Sequence, residues 1–158
     1  MEIISPPVLP DITNPTRYER TSFSFSYPSN WKIDKANKHF KPDEFIILDA
    51  PTDGQVRLQV IDTEFDIMET VNDIVERFSL PGLKISSRDE FPSWGNYLGY
   101  GVTLIGKVMD KPFKVRIFSH SEGSNSLVVW EYWWDGEVSI NKSGFQLVEN
   151  SFIFEKSI

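Results

Sequence analysis

Three stretches, Tyr97–Lys107, Pro112–His120 and Ser126–Trp134, alternate apolar and polar residues one by one, with only short polar turns between them. Alternation at a period of two sends successive side chains to opposite faces, so each stretch is predicted to be a strand with one dry side. The first puts Leu98, Tyr100, Val102 and Leu104 on one side. The second puts Phe113, Val115 and Ile117 on one side and Lys114 and Arg116 on the other. The third carries three of the chain's five Trp. Its even positions, Val128, Trp130, Tyr132 and Trp134, form an apolar stripe assigned to the core, and Val129, Glu131 and Trp133 fall on the other side.

The rest of the chain fills in around these strands. Phe23, Phe25 and Tyr27 alternate with serines across Ser22–Tyr27, a strand that ends at the turn Pro28-Ser29-Asn30 before the anchor Trp31. Glu44–Ala50 is an apolar run of strand length. Asp53-Gly54 is a hairpin signal leading to Val56, Leu58 and Val60, which alternate with Arg57 and Gln59. Ile67, Met68, Val71, Ile74, Val75 and Phe78 recur at helical spacing. Asp66 is placed to cap this helix with Glu69 three residues on, and Pro81-Gly82 stops it. Leu83–Asp89 is a short strand candidate, 136–150 a second helix, and Ser151–Phe154 closes the chain. The order β-β-β-α-β-β-β-β-α predicts an α+β protein, a single antiparallel sheet of about six to seven strands packed with two helices. Residues 1–20, rich in proline and without period, read as an extended arm; 21–158 read as one domain.

Composition narrows the chemistry. A net charge of −7 repels nucleic-acid phosphates and anionic lipid. The absence of cysteine excludes disulfides, thiolate metal sites and cysteine nucleophiles. There are two histidines. His39 lies in a polar loop, and His120 falls on the Lys114/Arg116 side of its strand, where it is predicted to face water rather than to serve a Ser-His-Asp arrangement. Asp62-Thr63-Glu64-Phe65-Asp66 looks like the start of a calcium loop. The sixth and twelfth positions, which need Gly and Glu, hold Ile67 and Asp73, so the cluster is read as negative charge at a helix N-terminus. Gly95, Gly99 and Gly101 lie on a strand rather than in a phosphate-binding turn. Gly99 and Gly101 instead invite an aromatic ring from a neighbouring strand, with Trp133 as the candidate. Asp89-Glu90 reads as a solvated turn. No cofactor or metal is expected. The opening MEIISPP lacks a basic region and is broken by proline, so no secretory signal is expected and the location expected is cytoplasmic. No run approaches ~18 apolar residues, so no membrane span is predicted.

What remains is a surface. If Val56, Leu58, Val60, Phe113, Val115 and Ile117 face the helices, the opposite face carries Arg57, Gln59, Thr103, Lys114 and Arg116, joined by Leu127, Val129, Glu131 and Trp133. Glu131 is expected to pair across strands with Arg116 or Lys114, worth roughly 0.2–1 kcal/mol. Arg57, Gln59, Lys114, Arg116, Val129, Glu131 and Trp133 are therefore the candidate protein-binding residues, unless a loop or the proline-rich arm covers them.

Several motifs carry a resemblance. Phe25-Ser26-Tyr27-Pro28-Ser29-Asn30-Trp31 is similar to the F-x-Y-P-x-x-W opening of PsbP-like domains, and Asn150-Ser151-Phe152 to their closing x-S-F. Between them run the same elements in the same order, over about residues 20–155. The superfamily includes PsbP of photosystem II, the Ran-binding Mog-type factor and bacterial DcrB-like proteins. The resemblance implies a non-catalytic binding or assembly protein. Many bacterial members are lipoproteins with an N-terminal cysteine, which this chain lacks. Leu80-Pro81-Gly82-Leu83-Lys84 is similar to a cytosolic branch of chaperones that cradle transmembrane segments of type VI secretion effectors on a hydrophobic sheet face. The reading is thus an adaptor or chaperone, with a secreted effector as candidate partner. An immunity protein whose acidity suits a basic toxin is one alternative, and a hydrolase using His120 is another. The oligomeric state stays open, a homodimer included.

Overall fold

Short connections dictate an antiparallel order, and the computed structural model, which describes residues 8–134 and 140–155, has it. In chain order the elements are β1 (Thr16–Glu19), β2 (Phe23–Tyr27), β3 (Lys32–Ile33), β4 (Phe45–Asp49), β5 (Gln55–Ile61), α1 (Ile67–Arg77), β6 (Leu83–Trp94), β7 (Tyr97–Val108), β8 (Lys111–Glu122), β9 (Asn125–Trp133), α2 (Lys142–Ser151) and β10 (Ile153–Phe154). Seven strands form the main sheet in the order β3-β4-β5-β9-β8-β7-β6. The single sheet expected is in fact two, because β1, β2 and β10 pair separately. The Asp53-Gly54 hairpin closes with Ala50 N–H donating to Gly54 O at 2.9 Å. The β7–β8 turn needs left-handed backbone at two successive residues, Met109 and Asp110, with φ of 49° and 68°.

The helix signals resolve as expected. Asp66 caps α1, its Oδ1 accepting from Glu69 N–H at 2.9 Å. Val71 is its one fully buried residue. It packs with Val102, Leu104, Phe113, Val115 and Ile117, and Phe78 stacks on Phe113. The second helix begins only at Lys142: Ile140 and Asn141, expected to be helical, form a turn, and the part expected before residue 140 lies outside the described residues.

The register corrects the assignment of faces. Val56 stands opposite Glu131, Leu58 opposite Val129, Glu131 opposite Arg116 and Trp133 opposite Lys114. Val56 and Leu58 therefore share a face with Lys114, Arg116, Glu131 and Trp133, whereas Arg57 and Gln59 lie on the other face with Phe113, Val115 and Ile117. Both faces are covered. On the first, Val56, Leu58, Val129 and Trp133 join Phe23, Phe25, Trp31, Phe145, Val148 and Phe152 in one core, so α2 and the small sheet form the cover. Phe145 lies against Trp133 with ring centroids 4.2 Å apart.

Three further expectations change. The arm ends in β1, whose Arg17 pairs with Ser26, and Asp11 is tied down by Asn30 Oδ1 at 2.9 Å. The first strand of the meander runs on through Asp89 and Glu90, so that pair is strand and not turn. The ring lying over Gly101 is Phe91 from the adjacent strand, not Trp133; a Cβ on Gly101 would sit 2.4 Å from it. At Gly99 a Cβ would come within 2.0 Å of Ser119 O, so glycine is required there by close backbone approach. The β6–β7 ladder has register shifts at Ile85/Ser87 and Phe91/Ser93, and Trp94 at the end of β6 joins the core of the α2 face.

Candidate functional site

The seven sequence candidates do not form one surface. Arg57 donates through Nε to Gln55 Oε1 at 2.6 Å and lies 5.3 Å from the centre of the Tyr132 ring, on the α1 face with Gln59. Burial raises the Tyr132 phenol above its usual value, with Arg57 opposing. The other five lie on the α2 face, and three of them are interior. Val129 and Glu131 are each 1% exposed and Trp133 is 7% exposed. Placing them on an open face is thus corrected: alternation separates the two sides of a strand but does not say that either side is wet.

Glu131 is the centre of a buried charged cluster. Its Oε1 accepts from Arg116 Nη1 at 2.8 Å and its Oε2 from the Trp94 indole at 3.1 Å. The expected Arg116 pair is therefore present, in a drier setting than a cross-strand surface pair. The same Arg116 nitrogen reaches Glu149 Oε1 on α2 at 3.4 Å, and its guanidinium lies 4.4 Å from the Phe91 ring centre. Burial, then the neighbouring Glu131, raise the Glu149 carboxyl above its usual value; Arg116 opposes both. The cluster ties β6, β8, β9 and α2 together, and every carboxylate oxygen of Glu131 is engaged, which makes it a structural clasp.

His120 is also corrected. It shares the Lys114/Arg116 side as expected, but that side is covered. Its Nδ1 donates to Leu98 O at 2.7 Å, and Tyr97 stands edge-on 5.0 Å away. The nearby hydroxyls are engaged elsewhere, Ser119 with Ile67 O and Ser121 with Ser126. Among the described residues no group of His, Asp and Glu is arranged to hold a metal ion.

Among the described residues a further feature of the α2 side stays open. A groove of about 760 Å³ runs between β6, the β7–β8 turn and Trp133. Its apolar lining includes Ile85, Ile105 and Met109, which are 46%, 41% and 79% exposed. Lys84, Lys107 and Lys114 rim it, with Asp110 as the carboxylate among the described residues, and the Lys114 ammonium sits 3.8 Å from the Trp133 ring centre. Of the predicted residues, only Lys114 and Trp133 belong to it. A smaller hollow of about 550 Å³ on the α1 face holds Arg57, Arg77, Tyr132 and Trp134. Ile85, Ile105 and Met109 are missing from the sequence candidates because nothing local separates them from ordinary strand and turn residues. The only hint was the Pro-Gly-Leu-Lys that leads into β6.

Seven-stranded antiparallel sheet, helix on either face and small second sheet together define an α+β domain of the PsbP-like fold. Three solved structures illustrate the likeness. A cyanobacterial PsbP (CyanoP) from Synechocystis sp. PCC 6803 matches with a TM-score of 0.51 at 16% identity, over 91% of this chain and 94% of that one. LpqN of Mycobacterium tuberculosis, involved in cell envelope biogenesis, matches with a TM-score of 0.50 at 12% identity, over 90% of each chain. A Bacteroides thetaiotaomicron VPI-5482 protein matches with a TM-score of 0.52 at 10% identity; this chain aligns over 85% of its length but spans only 45% of that protein. No family model and no curated protein matches the sequence. At these identities the likeness establishes the fold, and the PsbP-like expectation is met at that level.

Proposed function

We propose that the chain is a non-catalytic protein-binding module, an adaptor or chaperone, with a secreted effector of the type VI kind as the candidate client. The observation that carries this reading is the groove. Exposed apolar side chains gathered in a concavity and rimmed by charge mark a partner site, and Met109 adds an adaptable contact. Support for a non-catalytic role comes from His120, whose Nδ1 is committed to a backbone carbonyl and whose neighbouring serines bond elsewhere. No helix among the described residues is long and apolar enough to cross a membrane, which fits a module that meets its partner through a surface.

The test is site-specific photo-crosslinking in the native host. A crosslinker at Ile105 should give a discrete protein adduct. One at Leu98, 76% exposed toward the opposite end of the same strand, should not. Equal labelling at both positions, or none at Ile105, would remove the groove as the binding site. The immunity reading, favoured by the net charge of −7, expects adducts from acidic surface positions instead.

A further inference from the structure

We infer that the groove receives an acidic, apolar segment of a partner protein, with a carboxylate seated between Lys84 and Lys107 and apolar side chains lying on Ile85, Ile105 and Met109. This rests on the protein-binding reading above and adds the chemistry of the partner.

The lysine pair is the reason for the charge. Lys84 and Lys107 stand directly opposite one another on β6 and β7, and both line the groove. Like charges in directly opposed cross-strand positions destabilise a sheet. Neither lysine is in an ion pair among the described residues. Lys114 also lines the wall, and among the described residues Asp110 is the one carboxylate lining it. On a chain of net charge −7 this is a local reversal of sign. An anion held between the two ammonium groups turns their repulsion into two attractions.

The apolar half of the partner follows from position. Ile105 lies two residues before Lys107 on the same strand face, Met109 follows two residues after it in the turn, and both line the groove with Ile85. The segment that fits therefore carries Asp or Glu within a few residues of Leu, Ile, Phe or Met. A polypeptide suits the site better than a small amphiphile. Small-molecule sites enclose roughly 70–90% of the ligand, whereas Ile85, Ile105 and Met109, at 41–79% exposure, line an open trough.

The test sorts a displayed random-peptide library on the full-length chain, with an Ile105→Glu chain as counter-selection. Groove-dependent clones should pair acidic with large apolar residues. The best peptide should lose about tenfold in affinity on the Lys84→Gln/Lys107→Gln double variant, with much of its salt dependence. Groove-dependent clones that are neutral or basic would overturn the charge assignment while leaving the protein-binding reading intact; that reading fails separately, on the crosslink at Ile105. A sort with no groove-dependent clone would overturn the inference. So would dodecanoate binding in the groove without any peptide binding, which assigns the site to a small amphiphile. A partner-free measurement stands beside these: Lys107→Glu should raise the thermal midpoint by creating an opposed pair with Lys84, and an unchanged or lower midpoint would overturn the repulsion on which the inference depends.

Discussion

Replacing Glu131 by glutamine changes one atom and removes one charge, and it tests the clasp directly. In the native protein both carboxylate oxygens accept, one from Arg116 at 2.8 Å and one from the Trp94 indole at 3.1 Å. Both partners are donors only. Glutamine offers one acceptor and one NH2, so one donor must face another donor. If the amide oxygen keeps Arg116, the Trp94 indole is orphaned in the core, at a cost of about 1–3 kcal/mol. If it keeps Trp94, a charge-assisted bond worth about 1.5–3 kcal/mol is lost. Glu149, already 3.4 Å from the same guanidinium nitrogen, then takes over part of the pairing. The loss expected is therefore about 2–3 kcal/mol, read as a shift of the urea midpoint at unchanged slope. The relief by Glu149 makes a second expectation: the Glu131→Gln/Glu149→Gln double variant should lose more than the two single effects combined. A single variant within about 0.5 kcal/mol of wild type, or strict additivity in the cycle, would refute the clasp.

Other outcomes follow from the same geometry. Trp133→Ala should cost about 3–5 kcal/mol in chemical denaturation, and Trp130→Ala less, because Trp133 is buried against Phe145 while Trp130 is only half-buried; the reverse order would contradict the register. Gly99→Ala drives a Cβ to 2.0 Å from Ser119 O and should cost about 3 kcal/mol or more. Gly123→Ala, with open space around it and φ of 60°, should cost only about 1–2 kcal/mol. Glu149 has a folded pKa raised above the 4.5 of the free group, so folding favours its neutral form, and its contribution is fully present below pH 4.5 and lost as pH rises through the folded value. Glu149→Gln removes that loss. Its stability relative to wild type should climb from acid toward neutral pH, and a difference that is flat or falls across that range would show that burial and Glu131 do not outweigh Arg116.

Much of the architecture was legible in the chain because it rests on local physics. The Asp66 cap, the hairpin at Asp53-Gly54 and the alternation in the meander each depend on residues a few positions apart, and each stands where expected. The candidate surface was not legible in the same way. It required knowing which residue of β5 stands beside which residue of β9. Assigning Val56 and Val115 to one face placed Arg57 with Arg116, whereas pairing Val56 with Glu131 separates them. A shift of one position moves a whole strand's side chains across the sheet. Gly99 and Gly101 were both read as gaps inviting the Trp133 ring, but the ring over Gly101 comes from Phe91, the neighbour in the ladder, and Gly99 is met first by the Ser119 backbone oxygen.

By itself, then, the sequence determined the main strands and helices, their order, the antiparallel class and the kinds of chemistry the chain cannot perform with cysteine. Only the tertiary structure decided that each face of the sheet carries a packed core, that Glu131 and Trp133 are interior, and that Ile85, Ile105 and Met109 meet in one groove beside Lys84 and Lys107. The reason is range. Helix and strand periods repeat within a few residues, while the groove gathers side chains from four strands and a turn spread across 84–133, whose proximity exists only once those strands have paired.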